Sequence, residues 1–427
     1  MRVTMSRGHV VLFCATYSFF ILVNSVINPL MPLLRDEMNF TSSEAASVAA
    51  FQTMGASLGK ALFGGWAVDF CGARRSLVFS MFVSSILVYA YTLQTGVHGL
   101  AMCVFLMEFV STSVYPAHVQ FIRGWMPTSE HTRGFSLLGF SSRTADAASK
   151  LLYGALLHYL SWQHVALLSC AIGMGSCVVC WLKHADSPEE VNICAAVPSP
   201  ADLSDVLSRI LASDRFWLAV AAMGLQNTIK RTMEMTLGMY LVDSAPGLVD
   251  ASSASQLCMP FALGLAVSVM ACGALFERLC DADKITFLLL QNVLTIASLA
   301  TLASISGAAM TLHSELAVRV GLCFLVAVGL GLPYYVPFGL FSVQFGGSNA
   351  GVVSAYMDVF SYLFAAVFIS ALNPVMAAAI DPFQAWATVW WLLTAVSVGM
   401  IVLNFMFLRM MADMTFQQAQ HVRSKRA

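Results

Sequence analysis

Charge is what this sequence has least of. Of its 427 residues, 11% are Asp, Glu, Lys or Arg, less than half the roughly 25% of ordinary soluble domains. Such a chain cannot clothe a water-facing surface, and a soluble enzyme is excluded. The little charge present nearly cancels, 22 basic against 23 acidic residues, net −1. No basic surplus remains for a polyanion, so nucleic acid is not an expected partner. The 11 cysteines sit mostly singly inside apolar runs, with no CxxC pair repeated at metal spacing. They read as small buried hydrophobes and supply neither a disulfide framework nor a metal site. No nucleophile–base set appears, so no catalytic residues and no cofactor are expected. What the chain has instead is apolar residue, 58% of the total.

Those residues gather in runs of about 20, the length that crosses a bilayer as a helix. Twelve such runs fall near 9–34, 44–68, 76–94, 98–122, 135–158, 163–182, 216–242, 253–276, 285–305, 316–341, 350–379 and 384–408. The first run lacks an A-x-A-like cleavage site followed by a soluble domain, and is read as a span and not a removed leader. With the N-terminus cytoplasmic, the even connections and both tails hold fifteen basic residues, from Arg2 and Arg7 to Lys425 and Arg426. The opposite side then holds two, Arg35 and Arg319. That asymmetry orients a multi-pass protein with both termini cytoplasmic, in a plasma or organellar membrane. The connections are too short for an extramembrane domain. The longest, roughly 183–215, carries a turn signal at Pro198–Pro200 and has room for one amphipathic helix. Thr41-Ser42-Ser43-Glu44 fits a capping box opening the second span, and Asn39-Phe40-Thr41 is a glycosylation sequon.

The two halves echo each other. Span 2 ends in Gly65-Trp66-Ala67-Val68-Asp69 followed by Gly72, Arg74 and Arg75; span 8 ends in Gly273-Ala274-Leu275-Phe276-Glu277-Arg278. The glycines are 208 positions apart (273 − 65). Spans 5 and 11 each begin at a glycine, Gly134 and Gly351, after a proline-containing span. Two six-span halves, 1–182 and 216–408, then flank the linker 183–215, with a tail at 409–427. This is the layout of proteins that rock around a central site.

The first motif resembles the major facilitator superfamily signature, G-x-x-x-D-R-x-G-R-R/K. Gly65, Asp69, Gly72, Arg74 and Arg75 match it, with Phe70 in place of the usual base and Ala73 intervening. The resemblance implies an all-α integral membrane fold of twelve helices in two pseudo-symmetric six-helix bundles. A carboxylate and two guanidinium groups at a helix end would pair with the other bundle in one rocking state, so these residues, with Glu277 and Arg278, are read as gating; the alternative is a stop-transfer cluster of arginines.

Within that superfamily the chain looks most like the organophosphate:phosphate antiporters. Tyr17 to Pro32 resembles their first span, and Pro116, Trp125 and Arg133-Gly134 their span 4–5 region. Asp186-Ser187-Pro188-Glu189 is similar to the stretch after their sixth span, Arg215-Phe216-Trp217-Leu218 to the start of their seventh, and Gly331-Leu332-Pro333 through Gly351 to spans 10 and 11.

Nine charges remain inside the spans: Lys60, Glu108, Arg143, Asp146, Lys150, Lys230, Arg231, Glu234 and Asp358. Each costs about 2.5–3.5 kcal/mol at a helix centre, so such charges face a wet cavity or one another. Arg143, Asp146 and Lys150 share one face of span 5, where Asp146 can pair with either base; Lys230 and Glu234 share a face of span 7, with Arg231 about 100° away. Two cationic faces meeting across a cavity would grip an anion between the halves; the alternative is mutual salt bridges with no ligand contact. By the resemblance, Arg143 falls where the antiporters place a substrate-contacting histidine and Lys230 at one of two phosphate-holding arginines. The other arginine falls at Asn24, a departure that matters because a lysine offers only a point charge. Lys60 resembles the family's Gly-Lys in span 2; otherwise it is a counter-ion for Glu108 or Asp358. These two acids, with Asp146 and Glu234, are the candidates for proton coupling.

The expected function is a monomeric secondary carrier moving a small anionic organic solute by alternating access, with an organophosphate exchanged for phosphate as the version the resemblance implies. Two alternatives stand beside it: a proton-coupled symporter of a neutral or zwitterionic solute, and a non-transporting sensor on the same fold.

Overall fold

The computed structural model describes residues 7–126, 131–184, 203–346, 350–379 and 381–426. Asp186–Glu189 and the turn at Pro198–Pro200 lie outside the described residues, as do the side chains of Asp69, Arg123 and Arg133. The described residues form twelve helical rods and one short connecting helix. Span 1 is Arg7–Asn24 with Ile27–Met38; span 2 is Ser42–Gly59, a π-helical turn Lys60–Gly64, and Gly65–Cys71. Span 3 is Ala73–Thr92, span 4 is Val97–Ser111 with Val114–Trp125, span 5 is His131–Leu157 and span 6 is Trp162–Lys183. The connecting helix expected between the halves is Leu203–Leu211, followed by span 7 at Asp214–Ser244. Span 8 is Ala251–Leu257, Met259–Val267, a second π turn Ser268–Cys272, and Gly273–Arg278. Spans 9 to 12 are Asp281–Ile305, His313–Gly346, Ala350–Ala378 and Pro382–Arg426. The last helix runs well past the expected end near 408, so the stretch read as a tail continues span 12.

Spans 1 and 4, read as single runs, are each broken, and proline explains both breaks. A proline removes one helical N–H and its ring clashes with the carbonyl four residues earlier. Pro29 meets Ser25 in this way, and the break falls at Ser25–Val26; Pro116 meets Thr112, and the break falls at Thr112–Ser113. The capping box is present: the Thr41 amide donates to Glu44 Oε2 at 2.8 Å, and the Glu44 amide donates to Thr41 Oγ1 at 3.2 Å.

The repeat seen in sequence extends to backbone irregularity. The two π turns start at Lys60 and Ser268, again 208 residues apart (268 − 60), each just before the repeated glycine. A π turn inserts one extra residue and re-aims the side chains after it. Close helix approach supports the same places. A Cβ on Gly59 would lie 2.4 Å from the Phe109 carbonyl oxygen of span 4, and one on Gly55 2.3 Å from that of Phe105. Small residues let membrane helices touch backbone to backbone. Gly72, at φ +87°, makes the turn from span 2 to span 3 in a conformation that favours glycine.

Among the described residues, nine of the rods are long and apolar enough to cross a membrane; spans 2, 5 and 7 fall outside that set. These three carry seven of the nine interior charges. They sit where the halves meet: span 2 packs along span 11, span 5 along span 8, and span 7 against the second part of span 1. Polar helices are thus kept in the seam.

The seam is stitched at the end away from the linker, here called the far end. Asn373 Nδ2 donates to Ser47 Oγ at 2.9 Å, and Ser255 Oγ to the Lys150 carbonyl at 3.0 Å. Arg35 bridges spans 1 and 7 through Asp243 at 2.7 Å. Each half also ties its first span to its sixth by the same chemistry, Trp162 Nε1 donating to Glu37 and Trp386 Nε1 to Asp243. Arg319, the other basic residue expected on the lean side, is buried and donates to the Ile305 and Ala308 carbonyls and to the Tyr240 hydroxyl.

Replacing Gly59 with Ala should lower the thermal unfolding midpoint in detergent, at a cost of about 1–3 kcal/mol for overpacking. An unchanged midpoint would mean that spans 2 and 4 can part freely.

Candidate functional site

The site is built by two helices, one from each half, whose cations meet at one carboxylate. Glu234 lies midway along span 7 with its side chain 6% exposed. Arg143 Nη1, from span 5 of the other half, donates to its Oε1 at 3.1 Å. Lys230, one turn earlier on the same helix, donates at 3.0 Å, and Arg231 Nη1 donates to Oε2 at 3.3 Å. Arg231 lies about 100° from Lys230 around the helix but only three residues before Glu234, so it reaches the same carboxylate, and its Nη2 lies 3.6 Å from Glu108 on span 4. Glu108 in turn accepts from Gln52 at 2.9 Å.

The remaining charges form separate pairs. Lys150 takes Asp146 at 2.6 Å, one helical turn apart. Arg143 is therefore the base that Asp146 leaves over, and it crosses to the other half. Lys60, which opens the π turn of span 2, pairs with Asp358 of span 11 at 2.5 Å, resolving its partner against Glu108. Both members of that pair are about a fifth exposed, Lys60 21% and Asp358 22%.

Tyrosine rings face these cations. Arg143 lies over Tyr335, Lys230 over Tyr334, and both Arg231 and Lys60 over Tyr362. The sequence reading missed all three rings and left Arg231 off the ligand-facing set. Tyr334 and Tyr335 follow Pro333 in span 10, and only the fold brings span 10 to span 7. Asn24 is placed apart: it ends the first part of span 1, and its Oδ1 accepts from Ser111 at 3.1 Å, joining the breaks of spans 1 and 4. A crevice of about 10 Å³, enough for one water, lies between the charge cluster and the far end, lined by Pro32, Lys150, Glu234, Gly238, Ser255 and Cys258.

Of the residues expected to gate, Arg74 folds onto its own half, donating to the His184 carbonyl at 3.0 Å and lying over the Trp181 ring. Arg75, Glu277 and Arg278 are exposed. Among the described residues, no three His, Cys, Asp or Glu side chains gather as a metal site would require.

Removing the carboxylate of Asp243 (Asp243→Asn) should loosen both Arg35 and Trp386 and open the far end. The buried Cys258 thiol in the crevice should then react faster with a membrane-impermeant maleimide, measured against a Cys258→Ala background. Equal rates would show that the latch does not hold that end closed.

Residues 13–369 match the sequence profile of the Major Facilitator Superfamily. No curated protein sequence matches the chain. Among solved structures, a bacterial homologue of the human lysosomal transporter Spinster, inward-facing and unoccupied, is similar with a TM-score of 0.71 at 12% identity, covering 96% of this chain and 98% of that one. A D-xylose–proton symporter gives 0.74 at 12% identity over 95% and 98%, and the E. coli fucose:proton symporter 0.60 at 15% over 95% and 99%. At such identities the likeness is one of fold. With a family profile spanning most of its length and twelve helices in the matching arrangement, the chain belongs to the Major Facilitator Superfamily and is an integral membrane transporter, not an enzyme.

Proposed function

We propose that this transporter moves a small organic anion by alternating access, through exchange and not proton symport, with both termini cytoplasmic. The observation that carries the reading is the meeting of three cations, one from the opposite half, on the single carboxylate of Glu234. An anion entering between the halves competes with Glu234 for Arg143 and Arg231, and so draws on a contact that both halves already make. Closure follows because the solute bridges the two halves; a ligand drives a switch only through such differential contacts.

Exchange is favoured by the pairing of all four interior acids. Glu234 has three cationic neighbours, Glu108 has Arg231, Asp146 has Lys150 and Asp358 has Lys60. Each carboxylate is neutralised without a proton. The resemblance makes an organophosphate exchanged for phosphate the narrowest version of this reading. Asn24 counts against it, since its amide is engaged by Ser111 where the antiporters place a second arginine.

Proton-coupled symport of a neutral or zwitterionic solute is the second reading. It is favoured by the exposure of Asp358, the interior acid most open to its surroundings.

In proteoliposomes at equal pH on both sides, uptake of a labelled anion should require an internal anion and should be abolished by Arg143→Ala and by Lys230→Ala. Uptake driven by an imposed proton gradient into empty vesicles would favour the second reading. Full uptake by both variants would remove the site.

A further inference from the structure

The exchange reading leaves the anion's charge and shape open, and the ionic pairing carries both further. Among the described residues, the spans hold five cations at depth, Lys60, Arg143, Lys150, Lys230 and Arg231, against the four carboxylates Glu108, Asp146, Glu234 and Asp358. One positive charge is left over. A single negative charge on the solute balances the interior, whereas a phosphate ester dianion would overshoot it.

The surplus is localised. Lys150 with Asp146 and Lys60 with Asp358 are closed one-to-one pairs. At the remaining junction, Arg143, Lys230 and Arg231 share Glu234 and Glu108. The donors there are also under-used. Arg231 is 8% exposed, yet its Nε and Nη2 have no hydrogen-bond partner; the Glu108 oxygen at 3.6 Å from Nη2 is too far to accept. A buried donor without an acceptor is costly. The Nε–Nη2 edge is the side of a guanidinium that matches the two oxygens of a carboxylate.

Glu234 itself shows what fits. One of its oxygens takes Arg143 from one half, the other takes Arg231 from the other half, and Lys230 lies 3.0 Å from both. We propose that the solute is a monocarboxylate with a flat apolar body, and that Glu234 is its tethered stand-in between Arg143 and Arg231 while the carrier is empty. This rests on the anion reading and narrows it. When the solute carboxylate takes the two arginines, Glu234 keeps Lys230, one helical turn away.

The walls suit such a body. Tyr334, Tyr335 and Tyr362 present rings to the cluster. A sugar needs neutral amides and hydroxyls, and the two amides bonded to residues of the cluster are spent internally, Asn227 on Tyr334 and Ser361 and Gln52 on Glu108.

The test is equilibrium binding to the purified full-length protein in detergent. The probes are benzoate, phenylacetate and indole-3-acetate, their neutral amides, and phenyl phosphate. At least one carboxylate should bind more tightly than its own amide and than phenyl phosphate. Glu234→Gln removes the stand-in, and Glu234→Asp keeps the charge but draws the carboxylate back, a change the fold tolerates more easily. Both should tighten carboxylate binding, roughly tenfold in Glu234→Gln, and Arg231→Gln should weaken it by a similar factor. Tighter binding of phenyl phosphate would overturn the monocarboxylate while leaving the anion reading intact. Amides binding as well as acids would overturn both. Weaker binding in the two Glu234 variants would overturn the stand-in, and no binding by any probe would overturn the proposal.

Discussion

The structure turns on the burial of Glu234. A carboxylate placed midway along a membrane helix must be neutralised where it stands, because desolvation outweighs any single attraction in a low-dielectric interior. Lys230 on its own helix does part of this, and Arg143 arrives from the opposite half to complete it. One ionic requirement therefore holds two bundles in register and keeps spans 5 and 7 facing each other. The same requirement explains which helices are poor in apolar residues. Spans 2, 5 and 7 can be polar because each has a partner span across the seam and little need to face lipid.

The bundles present these side chains through small local departures from a regular helix. The breaks at Ser25–Val26 and Thr112–Ser113 each lie four residues before a proline, and Asn24 and Ser111 join them across the half. The π turn at Lys60 lets its ammonium reach Asp358 beside the Tyr362 ring, while Gly55 and Gly59 bring span 2 against the backbone of span 4. Span 8 repeats the π turn at the equivalent place without a charged residue, starting from Ser268. The two halves share a backbone device but not its chemistry: the charged version serves the seam with span 11, and Ser268 donates to the Val328 carbonyl instead.

Far from the cluster, the ends are held by simpler means. Arg35 and Arg319 stood out in the loops as basic residues on the lean side, and neither is free: one is paired with Asp243, the other caps carbonyls at the end of span 9. Asp243 serves twice, accepting from Trp386 as well as Arg35, so the far-end link between halves and the link between spans 7 and 12 share one carboxylate.

Much of this was legible in the sequence. Scarcity of charge and apolar runs of helical length fix a multi-pass membrane protein, because crossing a bilayer depends on each segment by itself. The capping box at Thr41 and Glu44 and the pairs Lys150–Asp146 and Lys230–Glu234 were equally readable, since residues three or four apart on a helix are neighbours wherever the helix goes. Tertiary structure alone decided the rest. Arg143 chooses Glu234 over the nearer Asp146, and Lys60 chooses Asp358 over Glu108, across 91 and 298 residues respectively. Arg231, besides the carboxylate three residues on, comes within 3.6 Å of Glu108 on span 4, and the tyrosines of spans 10 and 11 reach the cations only after folding. Sequence fixes how many charges must be neutralised inside the membrane; which partner neutralises each depends on distances that exist only once the two bundles have packed.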